Sequence, residues 1–392
     1  MSTKLAYLAQ GKLIVRNSDV SQLIESQFGR EVINRSLQRQ AKNEWKTGGD
    51  SASALYTRSA LWGSGGYDGR AVNVRISAVA PGSNEHELIY AVSTESVSGL
   101  FSYNLDTHKE TRLFHKEQLH LSDFSRQPES GRLACCQRFP NGAASIALWK
   151  GNSVEQVTEG DAVDEAPAWV PGQGNRLVYQ CAGIARNQRG FLAGVGPTSI
   201  QRLDLDNGSL TTLLEDPSYD FLNPHVDGQG DMYFIRRPYE PLFKRSYPLH
   251  KMLMDMLLFP FRICKAIFHF LNVFSMAFSK EPLTTASGPK IEGAEDNMLF
   301  LRGRIIDAAH AMRKCKQTEE PPCLVPKTWQ LVRRKMTGEE TVIADGVLSY
   351  DLRIDGSIVF STGMGVYETA ANGDNKKLLF RDNIIDTVVV LD

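Results

Sequence analysis

One pattern recurs along the sequence: a short predicted strand, a turn that contains glycine, and a second predicted strand rich in β-branched and aromatic residues. Internal repetition constrains a fold strongly, because each repeat is one structural unit that packs against its neighbours. The pattern appears in SAVAPGSNEHELIYAVS (77–93), SRQPESGRLACCQR (125–138), APAWVPGQGNRLVYQC (166–181), NPHVDGQGDMYFIRR (223–237) and LRIDGSIVFST (352–362). It predicts a fold made of repeated β-hairpins.

A second pair of strands follows each of these hairpins. The segments are GLFSYNLDTHKETRLFH (99–115), SIALWKGNSVEQVTEG (145–160), SIQRLDLDNGSLTTLLED (199–216), TWQLVRRKMTGEETVIADG (328–346) and GVYETAANGDNKKLLFRD (365–382). Turns such as Asn207-Gly208 and Gly151-Asn152 supply residues that tolerate the positive φ angles of tight hairpins. Four antiparallel strands per repeat are typical of a β-propeller blade.

One of these hairpins contains Pro167, Trp169, Pro171 and Gly172. In these residues the chain resembles the TolB-like β-propeller repeat family, whose first hairpin reads P-x-W-S-P-D-G. The other copies are degenerate, and the resemblance covers the five repeats and a split one. It implies the propeller fold, but it implies no particular activity, because proteins of this fold have many roles.

The two ends of the sequence complement each other. The N-terminal segments KLAYLAQ and GKLIVRNSDVSQLIES lack a first strand before them, and the C-terminal NIIDTVVVLD has no hairpin after it. We expect residues 385–391 to form the inner strand of one blade and residues 4–27 its other three strands, which leaves no open sheet edge. The predicted fold class is all-β: a six-bladed β-propeller closed by this split blade.

Two intervals are too long for blades alone, and we assign them to mainly helical insertions. The predicted organisation is split blade 1–27, helical insertion 28–71, blades 72–237, insertion 238–327 and blades with the closing strand 328–392. In the first insertion Phe28, Val32, Leu37 and Trp45 recur at helical spacing. The basic residues of this helix are interpreted as a solvated face and not as a nucleic-acid site, because no aromatic stacking platform accompanies them: Arg30, Arg35, Arg39 and Lys42.

The second insertion contains the most apolar segment of the sequence, LLFPFRICKAIFHFLNVFSMAF at 257–278. A single membrane crossing is excluded if both flanking strands belong to one sheet on one side of the bilayer. The energetics agree, because the apolar side chains contribute roughly -6 kcal/mol and Arg262 and Lys265 together cost about as much.

Polar residues of this segment fall on one stripe at helical spacing, opposite a broad apolar arc. We predict an in-plane membrane helix with Lys251, Arg262 and Lys265 toward anionic headgroups. Burial of the same helix against protein is the open alternative. The predicted membrane- or partner-binding residues are Phe259, Phe261, Ile263, Ile267, Phe268, Phe270, Leu271, Phe274 and Phe278.

Composition and motifs indicate no enzyme class. The formal net charge is -1, which indicates no general affinity for nucleic acid. The N-terminus has no unbroken apolar stretch or small-residue cleavage site, so a cytoplasmic protein is predicted, with a peripheral position on the inner face of the cytoplasmic membrane as an option. Neither G-x-S-x-G nor a P-loop or H-E-x-x-H occurs. We therefore predict no catalytic residues, metal or cofactor.

One set of acidic residues could still serve a ligand. Five aspartates lie at or just before predicted inner strands, and His225 lies within another. They could line the central channel and bind a cation or a basic peptide, although aspartate before a strand often only caps a turn. The possible channel acids are Asp123, Asp164, Asp220, Asp351 and Asp386.

These observations favour a non-enzymatic scaffold that binds protein partners and associates peripherally with an anionic membrane surface. One alternative is a soluble subunit of a protein complex whose apolar helix docks on a partner. The other is a metal-dependent propeller enzyme that uses the channel acids. The oligomeric state is not predicted.

Overall fold

The computed structural model describes residues 4–17, 20–47, 74–94, 97–117, 119–241, 298–307, 321 and 323–391. The chain divides into two compact units. One consists of Met1–Tyr239 with His310–Asp392, and the other is Glu240–Ala309. The second unit falls inside the interval that the sequence analysis assigns to the second insertion.

The described residues are mainly in β-strands. In chain order the elements are β1 (Lys4–Ala9), β2 (Lys12–Asn17), β3 (Val20–Ile24), α1 (Gln27–Thr47), β4 (Arg75–Pro81), β5 (Glu87–Ser93), β6 (Val97–Asn104), β7 (Lys109–Glu117), β8 (His120–Arg126), β9 (Leu133–Arg138), β10 (Ala144–Lys150), β11 (Ser153–Gln156), β12 (Ala162–Trp169), β13 (Arg176–Arg186), β14 (Leu192–Val195), β15 (Ser199–Asp204), β16 (Leu210–Leu214), β17 (Tyr219–Val226), β18 (Met232–Pro238), β19 (Met298–Leu301), β20 (Arg304–Asp307), β21 (Gln330–Arg334), β22 (Glu340–Asp345), β23 (Ser349–Leu352), β24 (Ile358–Ser361), β25 (Gly365–Thr369), β26 (Lys377–Arg381) and β27 (Ile385–Val390).

The strands of the first unit form antiparallel groups of four. The sheets β4-β5-β6-β7, β17-β18-β21-β22 and β23-β24-β25-β26 are separate. A nine-stranded sheet contains two further groups, β8 to β11 and β12, β13, β15 and β16, joined by one parallel pair between Ala144 and Val163. Strand β14 lies outside these groups and pairs with the end of β13. The predicted succession of hairpin pairs is therefore present.

The C-terminal strand completes the sheet of the N-terminal strands, as predicted. Strand β27 pairs with β1, with Leu5 opposite Val390 and Tyr7 opposite Val388, and the sheet order is β27-β1-β2-β3. Because β1 is paired on both sides, its backbone is not an exposed sheet edge.

The first strands of successive groups contact one another. Strand β4 contacts β8, β8 contacts β12, β12 contacts β17, β17 contacts β23, β23 contacts β27, and β27 contacts β4. Apolar side chains fill the spaces between groups: Leu13 and Leu88, from β2 and β5, share one cluster, and Ala91 and Cys135, from β5 and β9, share another. The core of the first unit is thus divided among these interfaces, where burial of apolar surface stabilises each group against the next.

The helix predicted in the first insertion is α1. Glu110 fixes its start, because its carboxylate accepts the backbone N–H groups of Gln27 at 2.7 Å and Phe28 at 3.2 Å, which lack partners inside the helix. The Phe28 ring packs on Phe101 with a centroid distance of 5.2 Å. Farther along, the side chain of Leu37 is exposed.

The described part of the second insertion contains two strands that the sequence analysis did not predict. Strands β19 and β20 pair as a two-stranded hairpin. Arg302 and Gly303 both have positive φ angles, 47° and 77°, as the tight turn between two antiparallel strands requires. Residues 251–279 lie outside the described residues. Within the described ranges, no helix has both the length and the apolar character needed to span a membrane.

Candidate functional site

A β-bulge recurs in the first strands of three successive groups. At each bulge one non-glycine residue has a positive φ angle: Asp123 at 50°, Ala166 at 49° and Asn223 at 52°. The strand register shifts at the same places, between Ser122 and Ser125, Glu165 and Ala168, and Leu222 and His225. Such bulges bend a strand and change where the neighbouring side chains point.

Polar side chains near the bulges link one group of strands to the next. Nη2 of Arg138, on β9, lies 2.7 Å from Oε1 of Glu165, on β12. Gln180 donates a hydrogen bond of 3.0 Å to the other oxygen of Glu165 and accepts one of 2.8 Å from the backbone N–H of Asn223, on β17. These contacts connect three groups.

The same series of contacts continues to the last two groups. The Tyr350 hydroxyl, on β23, donates a 2.6 Å hydrogen bond to the Asn223 carbonyl. Nε2 of His225 lies 3.9 Å from Oδ1 of Asp351, whose Oδ2 accepts the backbone N–H of Val390 at 2.8 Å. We call the side chains of this series the polar belt: Arg138, Glu165, Gln180, Asn223, His225, Tyr350 and Asp351.

The polar belt contains both buried and accessible groups. Burial, with the nearby Asp351 carboxylate, raises the pKa of Tyr350 well above its ordinary value, so its hydroxyl remains a donor. Burial disfavours the charged form of Arg138, but its acidic neighbours, Glu165 and Asp123 among them, together raise the pKa of Arg138 above its ordinary value. The side chains of His225 and Asp351 are 27% and 22% exposed. The belt therefore contains charged groups of both signs, with part of their surface open to solvent.

The five predicted channel acids all lie on first strands, but the structure does not collect them into one cluster. Asp351 belongs to the polar belt, whereas Asp123 and Asp386 are half-buried on β8 and β27. Asp164 and Asp220 are buried. Among the residues that the structure describes, no group of three or more His, Cys, Asp or Glu side chains could hold a metal ion.

The predicted membrane- or partner-binding side chains lie outside the described residues. These are Phe259, Phe261, Ile263, Ile267, Phe268, Phe270, Leu271, Phe274 and Phe278, together with Lys251, Arg262 and Lys265. What the structure does describe is the end of β18, from which this part of the chain departs.

A buried ion pair fixes the end of β18. The Arg237 guanidinium lies 2.9 Å from Oδ2 of Asp220, with side-chain exposures of 6% and 5%. The other Asp220 oxygen accepts the backbone N–H of Thr198 at 3.1 Å. The guanidinium also lies 4.5 Å from the centre of the Trp329 ring, which is a cation–π contact. The strand end at the insertion is thus held by its neighbours on several sides.

Sequence reasoning identified Asp351 and His225 but missed the rest of the polar belt. A usable signal was present, because Pro167 follows Ala166 and Pro224 follows Asn223 inside segments predicted as strands. Proline has no backbone N–H, and within a sheet it is largely confined to edges, strand starts and bulges. The dipeptides Ala166-Pro167 and Asn223-Pro224 therefore indicated bulges in the first strands.

Structures with this architecture are known, although no family model matches the sequence and no curated protein matches it. TolB from Acinetobacter baumannii is similar with a TM-score of 0.50 and 10% identity; the match covers 99% of this chain and 66% of that chain. The propeller chain of a nidogen/laminin complex is similar with a TM-score of 0.51 and 7% identity, covering 100% of this chain and 98% of that one. At such identities the likeness concerns the fold alone. The protein has a β-propeller fold, as these two structures do.

Proposed function

We propose that this protein is a six-bladed β-propeller closed by a split blade, and that it acts as a non-enzymatic scaffold for protein partners. The cycle of contacts among β4, β8, β12, β17, β23 and β27 supports both the blade count and the closure. The pairing of β27 with β1 supports the split blade. The polar belt supports a scaffold, because its side chains bond to one another across groups and keep the platform rigid.

We further propose that residues 251–279 attach the protein to an anionic membrane surface, on the inner face of the cytoplasmic membrane. One observation carries this proposal. The strands on either side of the insertion, β18 and β21, are neighbours in one sheet, with Met232 opposite Arg334 and Arg236 opposite Gln330. The inserted chain leaves and returns at the same end of that sheet, so its two ends are on the same side of any bilayer. A helix lying in the plane of the interface satisfies this condition, whereas a single span does not.

Flotation with liposomes tests the membrane proposal. Wild-type protein should float with vesicles of phosphatidylcholine and phosphatidylglycerol. Each basic residue near an anionic surface contributes about 1 kcal/mol, so the variant Arg262→Glu/Lys265→Glu should bind at least about tenfold more weakly. The matched control is Arg30→Glu/Arg35→Glu, which changes the net charge equally at exposed positions of α1.

Equal binding of the Arg262→Glu/Lys265→Glu variant would contradict the proposed attachment. Failure of the wild-type protein to float would do the same, and it would favour the soluble subunit whose apolar helix docks on a protein partner.

A further inference from the structure

A hairpin extends from the propeller at the end of β13. Strand β13 continues beyond its last pairing with β12, between Ala162 and Gly183, and its end pairs with β14. The turn of the hairpin is tightly bonded: the Asn187 side chain accepts the N–H groups of Arg189 at 2.9 Å and Phe191 at 3.0 Å. The hairpin is therefore an ordered projection.

Arg186 anchors the base of this hairpin. Its Nε lies 2.6 Å from Oδ2 of Asp161, and its Nη1 donates to the carbonyls of Asn141 at 3.1 Å and Gly190 at 3.2 Å. The hydrogen bond from Arg186 lowers the pKa of Asp161 below its ordinary value, so the pair stays charged. The tip is consequently held in one orientation relative to the sheet.

The tip exposes apolar side chains. Phe191 is 66% exposed and Leu192 is 37% exposed. Residues 187–196 contain the cation Arg189 and no acidic residue. An exposed aromatic and aliphatic pair beside a cation has the composition of a segment that enters the headgroup region of an anionic bilayer.

The hairpin contacts the end of β18, from which the insertion departs. The hydroxyl of Tyr239, which directly follows β18, donates a 2.7 Å hydrogen bond to the carbonyl of Val195 in β14. Both the hairpin and the departure point of the insertion lie where the second strand of a group connects to the third. Since strands within a group alternate in direction, these connections lie at the same end of their sheets.

We propose that the β13–β14 hairpin is a second membrane contact, in which Phe191 and Leu192 enter the headgroup region of an anionic bilayer and Arg189 faces the lipid phosphates. This inference rests on the proposed membrane association. It adds that the end of the propeller from which the insertion departs faces the bilayer, so the opposite end is left for protein partners.

The test is vesicle binding of a Phe191→Ser/Leu192→Ser variant of the full chain. We expect binding to phosphatidylcholine–phosphatidylglycerol vesicles at least about tenfold weaker than wild type, equivalent to about 1.4 kcal/mol. The control is Ile354→Ser, because Ile354 is 92% exposed and lies between β23 and β24, a first-to-second-strand turn at the opposite end of its sheet. This control should bind like wild type.

A second measurement does not depend on a loss of vesicle binding. In a Phe191→Trp variant, brominated lipids should quench more tryptophan fluorescence than in wild type. If wild type binds vesicles but the serine variant binds equally well, or the added tryptophan is not quenched, the hairpin inference is wrong while the proposed function stands. If wild type does not bind vesicles, the proposed function fails and the hairpin inference fails with it.

Discussion

The buried pair of Asp220 and Arg237 should be one of the most sensitive points of the propeller. Replacing Asp220 with alanine removes the acidic partner of a guanidinium whose side chain is only 6% exposed. It also removes the acceptor of the Thr198 N–H. Water cannot readily take the place of the carboxylate, because both positions are buried.

The expected size of the effect follows from this geometry. Breaking a buried ion pair by removing one partner typically costs about 3–5 kcal/mol, because the remaining buried charge loses a favourable electrostatic contact. The contact between Arg237 and Trp329, with 4.5 Å from guanidinium to ring centre, remains in the variant and offsets part of the loss. We therefore expect Asp220→Ala to lower the free energy of unfolding by about 3 kcal/mol.

Equilibrium unfolding in urea measures this difference. The matched control is Glu339→Ala, which removes the partner of Lys335 from a surface pair of similar length, 2.8 Å, with side-chain exposures of 43% and 62%. An exposed pair of this kind contributes about 0–1 kcal/mol. If Asp220→Ala costs no more than the control, the account of the strand end at the insertion is refuted.

Two further substitutions test the electrostatics of the fold. Burial raises the pKa of Asp164, and its Oδ1 has no hydrogen-bond partner among the residues that the structure describes, so Asp164→Asn should raise stability at pH 7 by about 1 kcal/mol. A raised pKa in the folded state means that stability is lost as the pH rises through that pKa. The advantage of the variant over wild type should therefore shrink as the pH falls through the raised pKa of Asp164 and vanish below about pH 4, the ordinary pKa of an aspartate; an advantage that is constant with pH would contradict this. Glu110→Ala should cost about 1–3 kcal/mol in urea unfolding, because the N–H groups of Gln27 and Phe28 and the Tyr90 hydroxyl lose one shared acceptor. Glu110→Gln, which keeps an acceptor oxygen, should lose less, and equal losses would argue against the cap.

The repeated hairpins could be predicted because their signal is local. Each one combines strand-forming residues with a turn whose geometry its own residues determine, as at Gly172, which has a φ angle of 66°. The pairing of β27 with β1 was predictable for another reason. The pattern of four strands per group was incomplete for the strands in residues 4–27 and for the strand in residues 385–391, and an unpaired strand leaves backbone groups unsatisfied.

The polar belt could not be predicted in the same way. Its contacts join residues far apart in the sequence, such as Asn223 with Tyr350, and they depend on how groups of strands pack. Asp220 shows where the limit lies. Its place at the start of a first strand was predicted, but Arg237 lies directly opposite it on the paired strand, and only the register reveals this partner. The hairpin in residues 298–307 was missed because a short apolar run suits a strand or a helix equally well.

The pairing of β1 with β27 has a consequence for biosynthesis. Tyr7 and Val388 are opposite each other, so β1 acquires this neighbour only after the long stretch of chain between them has been translated. Contacts between such distant positions form slowly, because a very long loop must first be closed. During that interval one side of β1 offers unsatisfied amide and carbonyl groups to other nascent chains. Translation speed and chaperone access should therefore affect the yield of this protein more than that of a domain whose strands pair only with sequence neighbours.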